Sequence, residues 1–233
     1  MNSSQASDLL DFMDFFYHES GLRLPKTVFL LPVYGAILMP RARLPIPIFE
    51  DDYLHLASDI VHEDVYVGVV QPIIDENFNS KNPLTLFSSG TLGRITNVVE
   101  IEDKRMIVNV TGVCRFNIEE EYENENGCRK ATVGYERYLQ DLHELDEIDF
   151  DRNRLLQALD NYFHNHDLTP NWQEIEEATD ARLIAALTMV CPFNSREKQA
   201  LLEVPTLELQ SEMITWLIEF ANFEGLTPSL TRH

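Results

Sequence analysis

The sequence predicts an α+β protein: a curled antiparallel β-sheet or small pseudo-barrel with one inserted helix, followed by a helical bundle. Three observations carry this. Between Val28 and about Tyr138, short β-branched and aromatic runs recur at 28–34, 65–70, 95–101, 106–116 and 129–138. After an acidic stretch at 140–150, the spacing of apolar residues becomes helical. A chain of 233 residues with 44% hydrophobic content and only 11 Pro and 9 Gly can bury a real core.

The elements follow in order, in three parts: a lead-in at 1–24, a β-rich part at 25–140 and a helical part at 141–233. In the lead-in, Leu9, Phe12, Met13 and Phe16 share one face at helical spacing, interleaved with acids, and Ser20-Gly21 suits a helix end. That helix over 8–18 either docks on its own domain or inserts into a partner, and an exposed apolar face would allow dimerisation. Residues 40–49 form an extended apolar segment that Pro45 and Pro47 keep out of helix. Glu50-Asp51-Asp52 then starts a helix to about His62, because acids favour the positive end of the helix dipole. Glu102–Arg105 and Asn124–Gly127 make hairpin turns, the second with an Asn-Gly pair that supplies positive-φ positions.

In the helical part, Leu155, Leu156, Leu159, Tyr162 and Phe163 mark a helix over 151–166. Residues 171–190 read as a broken helix that restarts near Asp180. Ser195 N-caps a helix through Leu202, and Thr206 caps the last one, which carries Leu209, Met213, Trp216, Leu217 and Phe220. Gly225 suits the position just past that helix, with Pro228 following.

Charge narrows the function. Eighteen basic against 39 acidic residues gives −21, a surface that repels phosphate backbones and anionic lipids and favours a basic or apolar client. Nucleic acid and membrane are therefore not expected partners. No apolar run approaches the roughly 20 residues that span a bilayer, and the N-terminus has no basic region before an apolar core. A cytoplasmic location is expected. Cys114, Cys128 and Cys191 lack metal spacing and read as reduced packing residues.

The chemistry of enzymes is sparse. No Gly-x-x-x-x-Gly-Lys-[Ser/Thr] loop is present, and no nucleophile-elbow motif. His164-x-His166-Asp167 has alternate residues that face different ways on a helix, which suits a solvated helix end better than a metal site. His62-Glu63-Asp64 and His143-Glu144 read the same way. No catalytic residue, cofactor or metal is expected.

Leu31-Pro32, Leu38-Met39-Pro40, Arg43-Leu44-Pro45 with Ile48-Phe49-Glu50-x-x-Tyr53, Gly90–Ile95 and Thr111–Ile118 follow one another in an order that resembles the Lon amino-terminal domain family, the substrate-recognition part of Lon proteases. Leu31-Pro32 and Leu38-Met39-Pro40 resemble the family's opening segment, and Arg43-Leu44-Pro45 with Ile48-Phe49-Glu50-x-x-Tyr53 resembles its signature. Val67–Val70 falls where the next family strand lies. Gly90–Ile95, Thr111–Ile118, and Pro192-Phe193-Asn194 with Lys198-Gln199-x-Leu201-Leu202-Glu203 complete the match over roughly 28–222. The resemblance implies a PUA-like barrel followed by helices, with Arg43, Pro45, Phe49, Glu50, Tyr53, Gly90, Gly112, Arg115 and Phe116 as scaffold. Pro47, the acidic 119–126 turn and the extra N-terminal helix depart from the pattern.

The expected function is a non-catalytic module that holds apolar client segments and works without ATPase or protease parts of its own. A separate protease or chaperone is a candidate partner. Tyr34, Met39 and Phe87 are candidates for its groove, by fold position, between the β-rich and helical parts. The missing P-loop and the stop signals after the last helix predict a chain that stands alone. A small-molecule receptor or an enzyme using the same cleft is the alternative. An RNA reader is disfavoured by charge.

Overall fold

The computed structural model describes residues 15–17, 23–49, 66–73, 84–101, 105–123, 129–143 and 148–226. The chain divides into two compact units, Met1–His143 with Phe193–Leu202, and Glu144–Pro192 with Glu203–His233. Residues 193–202, grouped by periodicity with the helical part, thus belong to the first unit.

Among the described residues, eight strands build the first unit: β1 (Phe15–Tyr17), β2 (Arg23–Pro25), β3 (Thr27–Pro32), β4 (Arg43–Phe49), β5 (Tyr66–Pro72), β6 (Leu86–Ile101), β7 (Arg105–Glu123) and β8 (Arg129–Gly134). β1 and β2 pair antiparallel, Phe16 opposite Leu24. This corrects the helix expected over 8–18 at its last residues. Phe15-Phe16-Tyr17 is a run of aromatic residues that suits a strand once a partner strand lies beside it. Leu9, Phe12 and Met13 lie outside the described residues, as do Glu50, Tyr53 and the helix expected at 50–62.

The main sheet has the order β4-β7-β6-β5-β3-β8, and β7 also pairs with β8. β7 is 19 residues long. Its first half pairs with β4, from Arg43 opposite Thr111 to Phe49 opposite Arg105. Its second half pairs with β8, from Asn117 opposite Gly134 to Glu123 opposite Arg129. The ring β7-β6-β5-β3-β8 therefore closes, and β4 extends it along the same edge of β7. Irregular registers after Leu92, Ile95 and Ile118 supply the curl that closure needs. Both expected hairpins bring their flanking strands together, Ile101 opposite Arg105 and Glu123 opposite Arg129.

One pairing differs from the expected antiparallel sheet: β3 and β5 run parallel, Phe29 opposite Val67. A parallel pair requires a long crossover. The connection from Pro32 to Tyr66, which contains β4, provides it. The barrel core gathers Leu24, Val28, Leu30, Val70, Leu92, Cys114, Phe116, Ala131, Val133, Tyr135 and Tyr138.

Pro45 and Pro47 sit in β4 opposite Asn109 and Ile107. Proline has no N–H, so neither can donate to β7, and both must occupy alternate positions whose backbone faces away from it. Ile46 and Ile48, the intervening residues, are buried. The extended segment read from the sequence is thus a strand with a proline-blunted outer edge.

Among the described residues the helices are α1 (Arg152–Asn165), α2 (Trp172–Glu177), α3 (Asp180–Val190), α4 (Ser195–Glu203) and α5 (Leu207–Leu226), after a 3₁₀ segment at Glu136–Leu142. The break between α2 and α3 is held by Arg152. Its guanidinium donates to the carbonyls of Ile175 at 3.0 Å and Ala178 at 2.9 Å and pairs with Asp180. Thr206 caps α5, its hydroxyl accepting from the Leu209 amide at 3.3 Å. Two expected boundaries move. Asn194, not Ser195, caps α4: its side chain accepts from the amides of Arg196 and Glu197 at 3.0 Å, and Glu197 reaches back to the Asn194 amide at 2.8 Å. Gly225 lies inside α5, not beyond its end.

Candidate protein-binding surfaces

The loop from Val33 to Ala42 has an exposed tip and a buried anchor. Tyr34 is 56% exposed. Gly35 follows at φ +66°, in the left-handed region that a side chain would strain. Ile37, Leu38 and Met39 are buried, and the Thr91 hydroxyl donates to the Leu38 carbonyl at 2.6 Å. The chain then crosses Gly112 so closely that a Cβ there would lie 2.2 Å from the Met39 carbonyl oxygen. Gly112 and the 41–42 turn exchange backbone hydrogen bonds of 2.8 and 2.9 Å. Gly112 is thus required by contact with backbone, which cannot yield.

α4 is fastened beside this loop through polar groups. Gln71 donates to the Ser195 carbonyl at 3.1 Å and to Gln199 at 3.2 Å. Gln199 donates to the Ser89 carbonyl at 3.1 Å, and the Lys198 ammonium donates to the Gly35 carbonyl at 3.2 Å. The matched motif around Lys198-Gln199 therefore anchors a helix to the barrel.

Arg115 is heavily committed. Its guanidinium is buried and grips Asp141 through Nε at 2.8 Å and Nη2 at 2.7 Å, while its own amide donates to the same carboxylate at 2.9 Å. Nη1 donates to the Leu202 carbonyl at 2.9 Å, near the end of α4, where a cation also meets the negative end of the helix dipole. The guanidinium stands 4.6 Å from the centre of the Tyr138 ring. Strand, 3₁₀ segment and helix thus meet on one cation. Burial, reinforced by the Asp141 charge, pushes the Cys114 thiol far above its ordinary pKa, and burial does the same to the Tyr135 phenol. These groups are held in inert protonation states.

Of the residues anticipated for a groove, Tyr34 is exposed and Phe87 half-buried, whereas Met39 is 1% exposed. Met39 packs inside and cannot line an open surface. Arg43 and Pro45 are exposed on β4, and Phe49 ends that strand. Gly90 and Phe116 share the barrel interior, where a Cβ on Gly90 would lie 2.9 Å from the Phe116 ring. His166 stacks on Tyr162 with ring centres 4.2 Å apart, and its Nδ1 lies 2.9 Å from the Tyr162 carbonyl.

The second unit holds a surface that periodicity alone does not identify. On α5, Leu209, Trp216, Phe220 and Phe223 are 48%, 62%, 59% and 67% exposed. The buried face of the same helix carries Gln210, Ser211, Thr215 and Asn222 beside Ile214 and Ile218. Ser211 and Thr215 donate to carbonyls of their own helix at 2.6 and 2.7 Å, and Asn222 donates to the Ala158 carbonyl of α1 at 2.9 Å. A cleft of about 270 Å³ between α1 and α5 is lined by Arg154, Gln157, Asn161, Glu219, Asn222 and Phe223. Arg154 grips Glu219 at 2.8 and 2.7 Å and stands 5.0 Å from the centre of the Trp216 ring. That hydrogen bond holds the Glu219 carboxyl below its ordinary range and raises Arg154.

Among the described residues no helix is long and apolar enough to cross a membrane. The chain is similar to Lon proteases of Desulfosudis oleivorans, 25% identical over 94 residues and 40% of this chain, and Cytophaga hutchinsonii, 29% identical over 103 residues and 43% of this chain. Each match spans only 12% of the relative's length. The fold is similar to that of a Lon N-terminal domain protein from Xanthomonas campestris, with a TM-score of 0.56 at 19% identity, covering 81% of this chain and 96% of that one. It is also similar to the N-terminal domain of a Mycobacterium avium complex Lon protease, with a TM-score of 0.54 at 14% identity, covering 83% of this chain and 98% of that one. The family model of the substrate-binding domain of ATP-dependent protease La (LON) matches residues 27–219, and the chain belongs to that family.

Proposed function

We propose that this chain is a non-catalytic binding module that holds exposed apolar segments of cytoplasmic client proteins and works with a separate protease or chaperone. The observation that carries this reading is the substrate-binding family match over residues 27–219. The polar groups support it: Arg115, Asp141, Gln71 and Gln199 are engaged in holding elements together. The exposed Tyr34 at a loop tip, with half-buried Phe87, is the candidate contact on the first unit. An overall charge of −21 favours clients whose apolar stretches carry basic flanks.

The α1–α5 cleft is a poor small-molecule site. The α1–α5 cleft, at about 270 Å³, falls below the roughly 300–1,000 Å³ of most ligand pockets. The test is fluorescence anisotropy with a labelled protein in its unfolded and native forms. Retention of the unfolded form, weakened several-fold by Tyr34→Ser, is expected. Equal affinity for both forms would sink the reading.

A further inference from the structure

The outer face of α5 is apolar and exposed. Leu209, Glu212, Trp216, Phe220 and Phe223 follow one another at intervals of three or four residues and are all exposed. Half-buried Met213 and Leu217 adjoin them, so the apolar stripe is continuous along the helix. From Leu209 to Phe223 it runs about 21 Å at 1.5 Å per residue, three to four turns of a facing helix. A soluble surface seldom gathers three exposed aromatic side chains in one line without a use for them. The inward face makes the contrast sharper, because it spends polar side chains on packing while the aromatics face out.

Charge identifies the occupant. Around Arg154 stand Glu219, which it grips, and Asp151 and Glu212, whose fields also act on it. α5 itself carries Glu208, Glu212 and Glu219 and neither Lys nor Arg between Leu209 and Phe223, so the border of the stripe is net negative. Two copies of this chain would bring two charges of −21 together. The chain's own N-terminal segment carries Asp8, Asp11 and Asp14 between its apolar residues, the same sign as the border. The Trp216 ring already takes the Arg154 guanidinium on one face, which marks it as a platform for cations.

We infer that the α5 face docks an amphipathic helix of a partner protein, with aliphatic or aromatic residues at i, i+3, i+4 and i+7 and lysines or arginines on its flanks. This goes beyond client capture: the occupant is a helix, and the surface lies in the second unit.

The test uses the full chain with Trp172→Phe, which leaves Trp216 as the sole tryptophan reporter. Two labelled 18-residue helical peptides serve as probes, with the same Leu/Phe stripe and either Lys/Arg or Glu flanks. The basic peptide should bind with a blue shift of Trp216 emission, at least tenfold more tightly than its acidic twin. In a second background retaining Trp172, Trp216→Ser with Phe220→Ser should reduce binding at least tenfold with unchanged circular dichroism. Glu208→Lys with Glu212→Lys should invert the preference between peptides. The unfolded-client assay is run on the same variants, and client retention by the Trp216/Phe220 variant separates this surface from the client site. Three results would overturn the inference: equal affinity for the two peptides, no binding of either, or sedimentation showing a dimer that Trp216→Ser dissolves. Loss of the unfolded client in the same variant would also overturn it, by making the face the client site itself.

Discussion

At the scale of the residue, Arg115 and Asp141 illustrate how a buried charge becomes scaffold. Removing a charge from water costs several kcal/mol, and that cost is offset only when its hydrogen bonds and counter-charge are well placed. Here the guanidinium has Asp141, the Leu202 carbonyl and the Tyr138 ring. Arg115→Met should therefore destabilise the protein by about 3–5 kcal/mol, because Asp141 is left buried without its counter-charge. Combining it with Asp141→Leu should recover most of the loss in urea unfolding. A single variant costing less than about 1 kcal/mol would contradict the structural role. Cys114 gives a second prediction. Burial keeps its thiol protonated, and only the thiolate reacts with alkylating reagents. Peptide mapping after iodoacetamide treatment at pH 8 should find Cys114 unmodified in native protein and fully modified in urea. Arg115 was legible as a member of a family motif, but its partners were not, since Asp141 and Leu202 lie 26 and 87 residues away.

At the scale of the element, local rules located most strands and helices and missed where neighbours decide. β6 and β7 extend well past their apolar runs because each continues along a paired strand, into residues such as Glu119–Glu123 that alone would not choose β. Phe15–Tyr17 became a strand for the same reason. β4 shows propensity and pairing in agreement: its prolines face the open edge and its isoleucines the core. That edge carries a prediction. Pro45→Thr with Pro47→Thr restores two outward N–H groups and makes β4 a better template for another chain. Concentration-dependent association should rise by light scattering, while the melting temperature changes little. Monodisperse behaviour at high concentration would argue against the blunting role. α5 is the counter-case, where polar residues face inward because their hydroxyls and amides find carbonyls nearby.

At the scale of the whole molecule, the charge of −21 acts on every encounter. Opposite charges speed association and screening by salt removes the gain over a Debye length of about 10 Å at 0.1 M. Affinity for an unfolded client of net positive charge should fall several-fold between 50 and 500 mM salt. Affinity for an acidic client of the same hydrophobicity should rise or stay flat. Titrations in which both respond alike would show that apolar contact alone selects clients.

The sequence by itself determined the fold class, most element positions, the acidic surface and, through ordered motifs, the family. These are local or compositional properties: turn chemistry, helical spacing and charge are written in neighbouring residues. Only the tertiary structure decided that the sheet closes through the two halves of β7, that β3 and β5 run parallel, that Met39 is core, and that the aromatics of α5 face out. Each depends on groups far apart in the chain meeting in space. Periodicity reports which residues share a face of an element, but what lies against that face is fixed only by packing.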